Sequence, residues 1–95
     1  MGNNKAILCV DDEKIVLDSL QEQLETYFGN KFTYEIAESV DEAWEVIEDL
    51  TNDEMDLTLV ISDWLMPRIK GDEFLVDVYT QYPNAITVML TGQAD

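Results

Sequence analysis

Two adjacent carboxylates, Asp11-Asp12, a further aspartate, Asp63, and a threonine, Thr91, are set apart by where they fall in the chain. Each follows directly on an apolar run. Ala6-Ile7-Leu8-Cys9-Val10 precedes the pair, Leu57-Thr58-Leu59-Val60-Ile61 precedes Ser62-Asp63, and Ala85 to Leu90 precedes Thr91-Gly92. Carboxylates crowded at the end of a strand buried on both faces repel one another and lose hydration. A divalent cation among them removes that conflict and makes a place for phosphate at the same time. Position, not residue type, carries this reading. Asp41-Glu42, Glu48-Asp49, Asp53-Glu54 and Asp72-Glu73 are equally acidic, but they fall in helical or polar-loop segments where water solvates them. Asp63 keeps a second reading, as the cap of the turn after its strand. Thr91 and Gly92 likewise keep theirs, as a strand-end hydroxyl and a turn.

Composition narrows the chemistry. The chain holds 21 acids against 5 bases and no His, a net charge of −16. Such a surface repels phosphate backbones, so no direct contact with nucleic acid is expected from this segment. Without His, and with its single Cys inside an apolar run, the chain suits an oxygen-ligated Mg²⁺ (Mn²⁺ is the alternative) rather than zinc. His-based acid–base and triad mechanisms are excluded within it. Cys9 has no partner for an internal disulfide and reads as a small buried hydrophobe. The longest apolar runs are a few residues, so no membrane span is expected, and no charged-then-apolar leader opens the chain. A cytoplasmic location is the expectation.

These residues need elements to hold them. Ninety-five residues suffice for one domain. Lys5 to Val10 reads as a buried strand. Leu17, Leu20, Leu24 and Tyr27 or Phe28 recur at helical spacing, with Gly29-Asn30 as the stop. Phe32 to Ala37 fits a second strand. Ser39-Val40-Asp41-Glu42 has the form of a capping box, opening a helix whose stripe is Val40, Ala43, Ile47 and Leu50. Thr51 to Asp56 reads as a polar loop and Leu57 to Ile61 as the third strand. A loop from Trp64 to Gly71 leads to a third helix capped by Asp72, with Phe74, Leu75, Val78 and Tyr79 inward. Pro83-Asn84 turns the chain into a fourth strand, Ala85 to Leu90. Strand–helix alternation with continuously apolar strands predicts a doubly wound parallel α/β sheet. In such sheets ligands bind beyond the carboxyl ends of the strands. If the first and third strands are neighbours, the acids and the hydroxyl converge on one edge.

Asp11-Asp12, the segment Asp63-Trp64-Leu65-Met66-Pro67-Arg68-Ile69-Lys70-Gly71 and Leu90-Thr91-Gly92 together resemble the receiver domain of two-component response regulators, across the whole chain. The resemblance implies a flavodoxin-like (CheY-like) sheet of order 2-1-3-4. It implies that Asp63 is the phosphoacceptor, served by a sensor histidine kinase, a phosphotransfer protein or a small phosphodonor. Asp12, Asp63 and the backbone carbonyl of Leu65 would ligate Mg²⁺, with Asp11 acting through metal-bound water. Thr91 would hydrogen-bond the phosphoryl group, as could the amides of Trp64 and Gly92. Met66, Pro67 and Gly71 would shape the loop that carries Asp63. Leu65 and Gln93 occupy positions that influence dephosphorylation in this family. The chain would be a switch and not an enzyme on other substrates.

Receivers also carry a fifth strand ending in a Lys, and two last helices. These are absent from residues 1–95, so the expectation is an incomplete receiver domain ending after its fourth strand. Lys5, Lys14, Lys31 and Lys70 lie in the wrong elements to replace that Lys. An uncovered fourth strand would invite self-association or pairing with an effector domain. A receiver-like interaction module working without phosphorylation is the alternative function. An aspartyl-phosphate phosphatase is disfavoured, because Asp11-Asp12-Glu13 lacks the Asp-x-Asp spacing of that class.

Overall fold

A computed structural model describes residues 4–63 and 71–90, and of Asp63, Gly71, Asp72 and Leu90 it describes the backbone. The elements run β1 (Lys5–Val10), α1 (Lys14–Phe28), a 3-10 turn (Gly29–Lys31), β2 (Thr33–Ala37), α2 (Val40–Asn52), β3 (Asp56–Asp63), α3 (Gly71–Gln81) and β4 (Ile86–Leu90). The four strands form one parallel sheet of order β2-β1-β3-β4.

Central β1 shows why its sequence is continuously apolar. Its side chains alternate between two cores, so both parities are buried. Leu8 and Val10, with Val60 and Ala37, pack under α2 and α3 through Val40, Ala43, Ile47, Phe74, Leu75 and Val78. Ile7 and Cys9, with Ile61, pack under α1 through Leu17, joined by Leu20, Leu24, Phe32 and Tyr34. Trp44 of α2 meets Phe74 of α3 edge to face, centroids 5.5 Å apart.

The register contains one irregularity. Ala6 pairs with Leu57 but Ile7 pairs with Leu59, so Thr58 is an extra residue on β3. Beyond it the pairing is regular up to Val10 opposite Ser62. On the other side Val10 faces Ala37, and at the far edge Asp63 faces Leu90.

Helix ends follow local chemistry. Ser39 caps α2, its Oγ accepting the Glu42 N–H at 3.0 Å. The reciprocal bond of the box is displaced by one residue: Glu42 Oε1 accepts from the Glu38 amide at 2.9 Å instead of from Ser39. At the other end, the Glu54 N–H donates to Thr51 O and the Met55 N–H to Leu50 O, with Glu54 at φ 61°. This is a Schellman ending with glutamate where glycine is usual. Gly29, at φ 62°, ends α1 and donates to Glu25 O.

Four sequence expectations are corrected. Helix α2 runs on to Asn52 and β3 starts at Asp56, so the polar loop between them is Asp53 to Met55. The third helix begins at Gly71, which places Asp72 inside its first turn and not at its cap. Tyr79 is 59% exposed, and Tyr82, one turn on, is the aromatic that packs against the core. Of the alternatives Tyr27 and Phe28, both are exposed, Phe28 less so and in edge contact with Phe32. For the two tyrosines an amphipathic ring satisfied the helical spacing, but the tertiary surface ended first.

Candidate functional site

The carboxyl ends of the two central strands bring the first acids together. Strand β1 delivers Asp11 and Asp12 directly after Val10. Asp11 is 5% exposed, whereas Asp12 is exposed. The Asp11 amide donates to Ala37 O at 3.1 Å, which ties the residue to the end of β2. Its Oδ1 accepts the Glu13 N–H at 2.9 Å. A buried carboxylate therefore stands beside an exposed one at an open rim.

Strand β3 extends through Ser62 to Asp63. Because Val10 pairs with Ser62, Asp63 is the next position on β3 beside the residue that follows Val10, which is Asp11. The backbone thus brings Asp11 and Asp63 to adjacent strand ends at one rim, and Asp12 follows them there. Ser62, fully buried, precedes Asp63 on the parity of Val60. On the far side Leu90 pairs with Asp63, and Thr91 follows Leu90 in the chain.

Trp64, Leu65, Met66, Pro67, Lys70, Thr91, Gly92 and Gln93 lie outside the described residues, as does the side chain of Asp63. Gly71 is the first residue of α3, where the segment from Asp63 rejoins the fold.

Whether a hard cation suits this rim can be judged from the described donors. Among the described residues no group of three acid, His or Cys side chains gathers. Asp11 and Asp12 are neighbours in the chain, and both offer only oxygen. An anion buried as deeply as Asp11 loses hydration that charge-assisted contacts must replace. An oxygen-ligated divalent ion is chemically consistent with that pair. Lys14 is not part of the rim, for its Nζ lies 3.4 Å from Asp18 Oδ1, one turn along the exposed side of α1.

Sequence reasoning missed the part played by Glu13. Its main-chain N–H, not its side chain, contacts Asp11. The signal was present: an aspartate two residues before a helix N-cap commonly accepts the i+2 amide.

The chain matches the family model described as "Response regulator receiver domain" over residues 7–95. Among solved structures, the signal receiver domain of an HD domain-containing protein from Pseudomonas fluorescens Pf-5 is 27% identical, with a TM-score of 0.78 and a match covering 98% of this chain and 67% of that one. A response regulator receiver domain protein from Clostridium thermocellum is 26% identical, TM-score 0.76, covering 92% and 64%. The chemotaxis response regulator CheY4 of Vibrio cholerae is 25% identical, TM-score 0.72, covering 100% and 72%. The chain thus spans about two thirds of the length of the first two structures. No curated protein sequence matched it.

Proposed function

Because this chain belongs to the response regulator receiver family, we propose that Asp63 accepts a phosphoryl group in a Mg²⁺-dependent step and thereby works as a conformational switch. Receiver domains are signalling domains of two-component response regulators. The donor would be the phosphohistidine of a sensor kinase or phosphotransfer protein, or a small phosphodonor. The acyl phosphate would shift an equilibrium read by a partner, an attached effector domain or a second copy.

One observation supports the reading above others: Val10 lies opposite Ser62, so the residues that follow, Asp11 and Asp63, end neighbouring strands at the same rim. A carboxylate can act as the nucleophile there without an activating base. In the transfer, an Asp63 oxygen forms a bond to phosphorus as the phosphorus–nitrogen bond to the donor imidazole breaks. The imidazole keeps the electron pair and takes up a proton from water. Asp11, Asp12, Asp63 and the Leu65 carbonyl would hold Mg²⁺ (or Mn²⁺), which supplies positive charge beside the phosphoryl oxygens. Thr91 and the amides of Trp64 and Gly92 would donate hydrogen bonds to those oxygens, while Met66, Pro67 and Gly71 shape the loop. The phosphoryl group ends on the chain's own residue, so the activity is self-phosphotransfer.

A cytoplasmic location accords with such a donor. No helix among the described residues is long and apolar enough to cross a membrane. A net charge of −16 argues against nucleic acid as a direct partner of this segment.

Intact-mass measurement after incubation with acetyl phosphate and Mg²⁺ tests the proposal. The expected result is a gain of one phosphoryl group that vanishes with chelator and in Asp63→Ala. Beryllofluoride with Mg²⁺ should quench tryptophan fluorescence saturably. A wild-type chain left unmodified under these conditions sinks the reading.

A further inference from the structure

Asp11 is the one acid side chain among the described residues that is buried. A carboxylate in that position can face several ways, and two rigid elements restrict the choice. Its main chain is tied to the end of β2 through the 3.1 Å bond from the Asp11 amide to Ala37 O. Its Oδ1 is tied to the start of α1 through the 2.9 Å bond from the Glu13 N–H. The donor is itself anchored, since Glu13 O accepts from the amides of Val16 and Leu17 at 3.1 and 3.2 Å. The N–H thus belongs to the residue whose carbonyl opens the first turn of the helix.

We infer that the main-chain N–H of Glu13 is a positioning group for the cation site, setting the direction in which the Asp11 carboxylate is presented. This rests on the reading of Asp11 as part of a Mg²⁺ site. The physical reason is general. Groups that hydrogen-bond a metal-facing carboxylate fix its rotamer before the ion arrives, so less ordering remains to be done on binding. The N–H also offsets part of the hydration Asp11 loses on burial. The side chain of Glu13 has no share in this, since the contact is made by its amide alone.

Substitution at residue 13 separates amide from side chain. Glu13→Pro removes the N–H at the N-cap of α1, where φ is −112° and must tighten toward proline's range of about −65°. Glu13→Ala keeps the N–H. Isothermal titration calorimetry with MgCl₂ on the 95-residue chain is expected to show the dissociation constant raised about tenfold in Glu13→Pro, the scale typical of lost outer-shell contacts. Glu13→Ala should stay within about twofold of wild type, a change worth no more than about 0.4 kcal/mol. Affinity unchanged in Glu13→Pro would overturn the inference, and so would an equal loss in Glu13→Ala. If Glu13→Pro fails to fold, amide hydrogen exchange decides. Glu13 N–H should be protected in wild type and should lose that protection in Asp11→Ala. No protection, or protection that survives Asp11→Ala, overturns the inference. The two failures are distinguishable. Asp11→Ala leaving Mg²⁺ affinity unchanged refutes the site itself. Asp11→Ala weakening it while Glu13→Pro does not refutes only the positioning role.

Discussion

Among the described residues glutamate at position 54 is the one least suited to its backbone, and replacing it with glycine should stabilise the chain. Glu54 is the residue beyond the cap of α2 and sits at φ 61°, held there by the Glu54 N–H to Thr51 O and Met55 N–H to Leu50 O bonds. A side chain in the left-handed region costs about 1–2 kcal/mol, because Cβ crowds the following carbonyl. Glycine lacks that Cβ but gains freedom in the unfolded chain, which takes back about 0.4–1 kcal/mol. The net gain from the backbone is therefore about 0.8 kcal/mol at mid-range, with bounds of roughly 0 and 1.6 kcal/mol. Charge acts in the same direction, since an acid just past a helix C-terminus opposes the helix dipole and Asp53 lies beside it. Glu54→Ala isolates that contribution, because alanine sheds the charge but keeps the Cβ. Thermal unfolding followed by circular dichroism should rank Gly above Ala and Ala at or slightly above wild type. The Gly–Ala gap should be roughly 2–8 °C for a chain of this size. The phosphoryl uptake proposed for Asp63 should be the same in both variants as in wild type. A glycine variant no more stable than the alanine variant would refute the assignment of strain to Cβ at this position.

Other expectations follow from the two cores and the helix ends. Phe74→Ala empties the space beneath α2 and α3 and removes the partner of Trp44, which should cost about 3–5 kcal/mol in urea unfolding and red-shift tryptophan emission. The Cys9 thiol, 2% exposed, is pushed up to about 11 by burial, against 9.0 in the unfolded chain. Its folded pKa is the higher one, so its contribution is complete below pH 9 and is lost as pH rises toward 11, at up to about 1.4 kcal/mol per pH unit. Cys9→Ser should flatten that part of the stability–pH profile. Tyr34 donates its hydroxyl to carbonyls at the end of α1, 2.9 Å from Gly29 O and 3.3 Å from Leu24 O. Tyr34→Phe should therefore cost about 1 kcal/mol by chemical denaturation and speed exchange of the last α1 amides.

Much of the fold was legible because strands and helices carry different apolar periods. The bounds of β1, and the stripe Val40, Ala43, Ile47 and Leu50 of α2, emerged as the pattern implied. The acid pair was marked as unusual by one local fact, its place at the end of a doubly buried strand. What a pattern of side-chain types cannot carry is where a packed surface stops. Tyr27 and Tyr79 keep the helical spacing and still face water.

The chain's linear order determined an acid after the first strand, another after the third and a hydroxyl after the fourth, together with the alternation that forces parallel pairing. The apolar pattern alone left the neighbours open, and the family resemblance supplied the order 2-1-3-4 that the sheet has. The register was left to the tertiary structure. The extra residue Thr58 shifts β3 by one position against β1, so that Val10 meets Ser62 and not Ile61. Without that shift Asp11 would fall beside Ser62, and Asp63 would lie one residue further along the rim. Main-chain hydrogen bonding across a sheet joins residues remote in sequence, and a bulge satisfies it at no visible cost in composition. The register that aligns these acids is therefore a property of the assembled sheet.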